Sequence, residues 1–181
     1  MKSKSNHRWI IKIVILSVVI SMALTFASTQ VLGHAGYVMA FVLLLVFILF
    51  GIVFDVIGVA VAAAPEAPFH SMAAHRERGA VEAIRLIRNA EKVTTVCNDV
   101  FGGISDIVSG ATSVLIITAI MRDFSISNVL FQLFMSGIVT GTIIGGKAFG
   151  KTIAIKNSTA VVLRTGKIIN LKSRIFSGKR G

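Results

Sequence analysis

YVMAFVLLLVFILFGIVFDVIGVAVAAA, residues 37–64, contains a single charged side chain, Asp55. About 20 mostly apolar residues suffice for a helix to cross a bilayer core, so this stretch reads as a membrane span with an acid inside it. A carboxylate at that depth is costly unless a partner, water or a cation compensates it. The same pattern recurs on either side. Apolar segments near Trp9 to Val31, Val93 to Ile120 and Val129 to Ala154 read as three more spans, and two further acids, Asp99 and Asp106, lie inside the third of these four. With 54% hydrophobic residues and a mean hydropathy of +0.81, the chain is expected to be an all-α membrane protein of about four transmembrane helices.

A net charge of +11 raises the question of nucleic acid, but placement decides what such an excess means. Of the 19 Lys and Arg residues, four lie between Lys2 and Lys12, five lie between Arg76 and Lys92, one is Arg122 and nine follow Gly146. The links Leu32 to Gly36 and Met121 to Asn128 carry almost none. By the positive-inside rule this is a topology signal, with both termini in the cytoplasm of a multi-pass cell-membrane protein. Nucleic acid is not an expected partner, whereas the lipid bilayer is. Trp9 and Tyr37 fall at span ends, where amphipathic rings sit well. A second reading takes the first span as a signal peptide, because Lys2, Lys4 and Arg8 precede an apolar run ending in the small residues Ala27 and Ser28. That run is long for such a peptide, and no clear cleavage site follows it.

Three stretches follow from these signals: a basic segment with the first span (1–34), a three-span core (35–156) and a basic cytoplasmic tail (157–181). Within the core, Pro65 and Pro68 stop the second helix. Beyond them, residues 65–92 are predicted to form a juxtamembrane belt. Val81, Ile84 and Ile87 recur at three-residue spacing with Arg78, Glu82, Arg85 and Arg88 on other faces, giving an amphipathic interfacial helix or, alternatively, an ordinary solvated helix. The tail alternates Val161, Val162, Leu163, Ile168, Ile169, Leu171, Ile175 and Phe176 with Arg164, Lys167, Lys172, Arg174, Lys179 and Arg180. Belt and tail together suit anionic lipid headgroups, at about 1 kcal/mol per basic residue near the surface.

Chemistry concentrates in the last two spans. Cys97 is the only cysteine, and neither it nor His70 and His75 forms a zinc pattern. No nucleophile–base pair or phosphate loop suggests an enzyme. On the third span Asn98, Gly102, Ser105, Asp106 and Ser109 recur at three- and four-residue steps and are predicted to share a helical face. On the fourth, Gly137, Gly141 and Gly145 form a double GxxxG beside Ser136 and Thr140; such glycines serve close helix packing, or expose carbonyls to a partner or an ion. Counting about 1.5 Å per residue, Asp55, Asn98, Asp99 and Lys147 fall at similar depth in the cytoplasmic half of the bilayer. Asp106 is deeper, with Ser105 and Ser109 as expected companions, either as a core acid or as part of a transport path.

The order of these segments resembles the transmembrane domain of the cyclin M / CorC magnesium-transporter family, over Gly51 to Asn170. DVIGVAVAAA from Asp55 sits where that family has a run like SxxETALxSA. HRERGAVEAIRLIRNAEKVTTVCNDVFG from His75 is similar to its belt helix and GNN-bearing span. GGKAFGKTIAI from Gly145 and KNSTAVVLRTG after it are similar to the GEIxPK segment and the following basic helix. The resemblance implies a homodimeric cation transporter with magnesium as the transported ion and no other cofactor, and it matches Asn98 to the family's asparagine and Gly146 to its glycine; with the acids Asp55 and Asp99 at similar depth, these four are the expected metal site. The departures are specific. Asp55 replaces a serine, Gly58 the first acid, Lys147 the GEIxPK glutamate and Gly150 its proline, and the family's paired nucleotide-binding (CBS) module is not expected after the basic helix. An ammonium is a compact cation suited to the space of a metal, so Lys147 is expected to pair with Asp55 or Asp99 and plug the site. Two functions stay open: cation transport through this pocket, or a non-transporting membrane scaffold or regulator.

Overall fold

The computed structural model describes residues 3–34, 37–125 and 128–177. Expectations resting on the side chains of Lys2, Lys4, Arg8 and Tyr37, on the small residues Ala27 and Ser28, on residues 35–36 and 126–127 of the two links, or on the tail from Lys172 to Gly181 fall outside what is described. Helix α1 spans Ser3–His34, α2 Tyr37–Ala63, α3 Ala67–Ala74, α4 Ala80–Arg88, α5 Ala90–Thr94, α6 Gly103–Asp123, α7 Val129–Lys156 and α8 Ser158–Ser177, with a π-helical segment, Thr95–Gly102, between α5 and α6. No strand occurs among the described residues. Four stretches are long and apolar enough to cross a membrane: Trp9–Phe26, Val38–Ala63, Ala90–Asp123 and Val129–Lys156. The protein is thus an all-α membrane protein, with the four spans that hydropathy locates.

Packing groups the chain across its sequence order. One compact unit comprises Met1–Ile52 and Asp99–Lys147, the other Val53–Asn98 and Ala148–Gly181. In the first, α1 lies against α6. Its residues Ile13, Ile20 and Leu24, spaced to return to one face of the helix, pack onto a core of Phe47, Val100, Ile104 and Val108. A second cluster in the same unit joins Ala40, Leu44 and Ile48 of α2 to Ile116 of α6 and Ile143 of α7. Leu45, Leu49, Ile107, Leu133, Phe134 and Ile138 remain exposed, as expected of side chains that face lipid. Among the described residues, Gly137, Gly141 and Gly145 have nothing within 4 Å of a Cβ built on them, so the double GxxxG is not a close-packing seam there.

The second unit carries the belt, which is not one helix. After Pro68 in its first turn, α3 ends at Ala74, and the chain turns through Arg76 at φ 56° and Gly79 at φ 84° before α4 begins. Left-handed backbone at two places within four residues cannot continue an α-helix, so the expected belt over 65–92 is broken into three short pieces. The buried face differs as well. Ala80 and Ala83 are wholly covered and Ile84 and Ile87 partly so, at steps of three and four, whereas Val81 is 48% exposed. Phe69, Val61 and Val162 anchor this core beside Ala60, Ala64 and Ala154, and burying Phe69 completely contributes up to about 3 kcal/mol. What covers α4 is the tail helix, since α8 docks along it.

Glu66 ties α3 to α4: its Oε1 accepts a hydrogen bond from Arg88 Nε at 2.8 Å and lies 2.9 Å from His70 Nε2. The Arg88 bond first, and the His70 contact second, hold this carboxyl below its ordinary value of 4.5. A group depressed on folding stabilises above its unfolded value and loses that contribution as the pH falls through the folded one. Thermal melts in detergent across acidic pH are therefore expected to show a loss of stability below about pH 4.5 that Glu66→Gln removes; this carboxylate is exposed, so the change is small.

Candidate functional site

In the first unit, Lys147 Nζ of α7 donates to Asp106 Oδ2 of α6 at 2.7 Å. The lysine side chain is 13% exposed and the aspartate side chain 44%. Two charges inside spans are thus paired across 41 residues of sequence. Their meeting depends on small residues in α2 and α7. A Cβ on Gly51 would sit 3.0 Å from Ser105 Cβ and 3.8 Å from Lys147 Cε, so bare glycine lets α2 approach α6 and leaves room for the lysine stem. One on Gly146 would sit 2.8 Å from Ile52 Cδ1, which holds α7 close to α2 one residue before the lysine. Phe50 and Phe101 meet edge to face nearby in sequence, with centroids 6.2 Å apart and planes at 78°.

Neither of the expected companions of Asp106 hydrogen-bonds to it. Ser105 Oγ donates to the Phe47 carbonyl at 2.7 Å, and Ser109 Oγ, in a residue only 1% exposed, has no hydrogen-bond partner. Buried hydroxyls continue along α6 at Thr112 and Ser113, which hydropathy and motif reading pass over. Ser113 Oγ closes onto the Gly110 carbonyl at 2.8 Å. The series 105, 109, 112, 113 has helical spacing, so α6 presents a polar buried face beyond Asp106.

Asp99 lies in the π-helical segment and is exposed, while Asn98 is half-buried. In a π-helix each amide reaches five residues back, so a four-residue step no longer returns to the same face. The face predicted from Asn98 through Ser109 therefore holds only from Gly102 onward. Such segments concentrate at functional sites.

In the second unit, Asp55 is buried at 4% exposure, and Gly58 follows it by one turn of α2. A side chain on Gly58 would overlap Asn98 Oδ1, and the Gly58 carbonyl accepts from Thr94 Oγ1 at 3.3 Å. Asn98 Oδ1 is buried without a hydrogen-bond partner. The glycine that stands where the resemblance expects an acid is thus the seat of the asparagine amide. Of the proposed metal residues, Asp55 and Asn98 belong to the second unit and Asp99 and Gly146 to the first. Among the described residues no three His, Cys, Asp or Glu side chains are grouped to hold a metal ion. Comparison with protein-family models, with curated proteins and with solved structures finds no match to this chain.

Proposed function

We propose that this membrane protein moves a small inorganic cation, with Asp106 as the acid that attracts it and Lys147 as a tethered ammonium that occupies the acid between passages. The observation carrying this reading is the 2.7 Å contact of Lys147 Nζ with Asp106 inside two spans. Intramembrane ion pairs are costly to assemble, and they recur where ions or protons cross. A hard cation of the magnesium class suits carboxylate and hydroxyl oxygens, and the buried hydroxyls of α6 continue in that chemistry. Thirteen of the 19 Lys and Arg residues fall in the second unit, which supports a cytoplasmic location for the belt and tail.

The same contact also favours a second reading, in which the lysine never leaves and the protein is a non-transporting scaffold. Flux into liposomes separates the two. Wild-type protein is expected to carry magnesium, manganese or sodium above the rate of empty vesicles, and Asp106→Asn to reduce that flux at least about ten-fold, the loss of roughly 1.4 kcal/mol of ion stabilisation. Flux equal to that of empty vesicles for all three ions would remove the transport reading and leave the scaffold.

A further inference from the structure

The second unit holds a cavity of about 450 Å³ where the turn before α4 meets α8, lined by Glu77, Arg78, Lys167, Asn170 and Leu171. Its charged groups are fixed unequally. Lys167 Nζ donates to Glu77 Oε1 at 3.1 Å, and Asn170 Nδ2 donates to Glu82 Oε1 at 2.7 Å, so three of the four polar lining residues are held in place by hydrogen bonds. Arg78 has no hydrogen-bond or ion-pair partner among the described residues. The lining therefore keeps one uncompensated positive charge, on the side chain whose planar fork best fits phosphate oxygens.

The position of this cavity narrows the ligand. α3 follows the end of a span at Ala63 after three residues, and α8 follows the end of another at Lys156 after one. Ala60, Ala64 and Ala154 from those span ends share a core with Phe69, Ala83 and Val162 of α3, α4 and α8. The cavity is therefore juxtamembrane. Leu171, which lines the cavity beside these polar groups, is 61% exposed on α8, so an apolar side chain borders it. A free phosphate in water has no use for that apolar rim. A phospholipid has use for both, placing its phosphodiester at the arginine and its glycerol and upper acyl carbons against the leucine.

We infer that the Arg78–Lys167–Asn170 cavity is a binding site for the headgroup of an anionic phospholipid. The lipid stabilises the α4–α8 pair by bridging the turn before α4 to α8. The test uses full-length protein in a neutral detergent, melted in the presence of phosphatidylglycerol, phosphatidylcholine or inorganic phosphate. Phosphatidylglycerol is expected to raise the melting temperature, and the other two to leave it unchanged. Arg78→Gln, which removes an unpartnered surface side chain, is expected to fold normally and to need about five-fold more phosphatidylglycerol for the same shift, the worth of one basic residue near an anionic surface. Arg85→Gln removes the same charge from α4 away from the cavity and is expected to behave as wild type. The inference is overturned if Arg78→Gln responds like wild type, if Arg85→Gln loses as much, or if inorganic phosphate alone reproduces the shift.

Discussion

Lys147→Met is expected to destabilise the protein by about 2 kcal/mol, and the double variant Lys147→Met, Asp106→Asn to recover most of that loss. The single change leaves Asp106 without its cation inside a span. Breaking a buried pair from one side typically costs about 3–5 kcal/mol, and the 44% exposure of the aspartate side chain lowers the figure here. The double change removes both charges of this pair and keeps nearly the same shapes. Replacing such a pair by neutral groups is often near neutral, because the desolvation of two ions disappears along with their attraction. Reversible unfolding in mixed micelles of the wild type, both singles and the double forms a cycle whose coupling energy is expected at about 1–2 kcal/mol. Additive singles would mean that the 2.7 Å contact contributes nothing to stability, and Asp106 would then need another explanation.

The spans were legible because each is a run of apolar residues longer than a bilayer requires, a property that survives averaging over a window. What joins the spans was not. Lys147 and Asp106 sit 41 residues apart on different helices, and their meeting depends on helix pairing that no spacing rule encodes. Depth counts residues from span ends and carries no information about azimuth, so it could not single out Asp106 as a partner of Lys147. The π-helical segment over Thr95–Gly102 then shifts azimuth within a span, moving Asn98 and Asp99 off the face that α-helical periodicity gives to Ser105 and Ser109.

Glycine was misleading in a similar way. The recognisable motif, Gly137, Gly141 and Gly145, meets no neighbour within 4 Å among the described residues, whereas glycines outside it carry the close approaches. Gly51 accommodates Ser105, Gly58 accommodates Asn98, and Gly146 accommodates Ile52. A glycine is needed where another element comes near, and that element is named only by the tertiary structure. The belt shows the same limit at short range, since its three-residue spacing of Val81, Ile84 and Ile87 is genuine, yet the face actually covered is set by α8 and selects Ala80 and Ala83.

That docking of α8 on α4 makes Gly79 and Gly166 the most sensitive pair outside the spans. Gly79 is at φ 84°, where a side chain is strained, and a Cβ there would collide with the Lys167 backbone amide and lie 2.7 Å from the Gly166 carbonyl carbon. A Cβ on Gly166 would collide with the Gly79 carbonyl and lie 3.2 Å from the Ala83 nitrogen. In both cases the obstacle is backbone, which cannot swing aside as a rotamer can, so the two helices must separate. Separation uncovers Ala80, Ala83 and Val162, all with no exposed surface, and lengthens the bonds from Lys167 to Glu77 and from Asn170 to Glu82. Gly166→Ala is expected to cost about 2–3 kcal/mol from overpacking, and Gly79→Ala more, because backbone strain of about 1–3 kcal/mol adds to it. The double variant should cost less than the sum, since one separation relieves both collisions. Gly145→Ala is the control: its Cβ enters open space on α7, and the change should be neutral or slightly stabilising through helix propensity. Hydrogen exchange of the α4 and α8 amides separates this account from general destabilisation, because protection should fall in those two helices while Ile104, Val108 and Ile116 of α6 keep theirs.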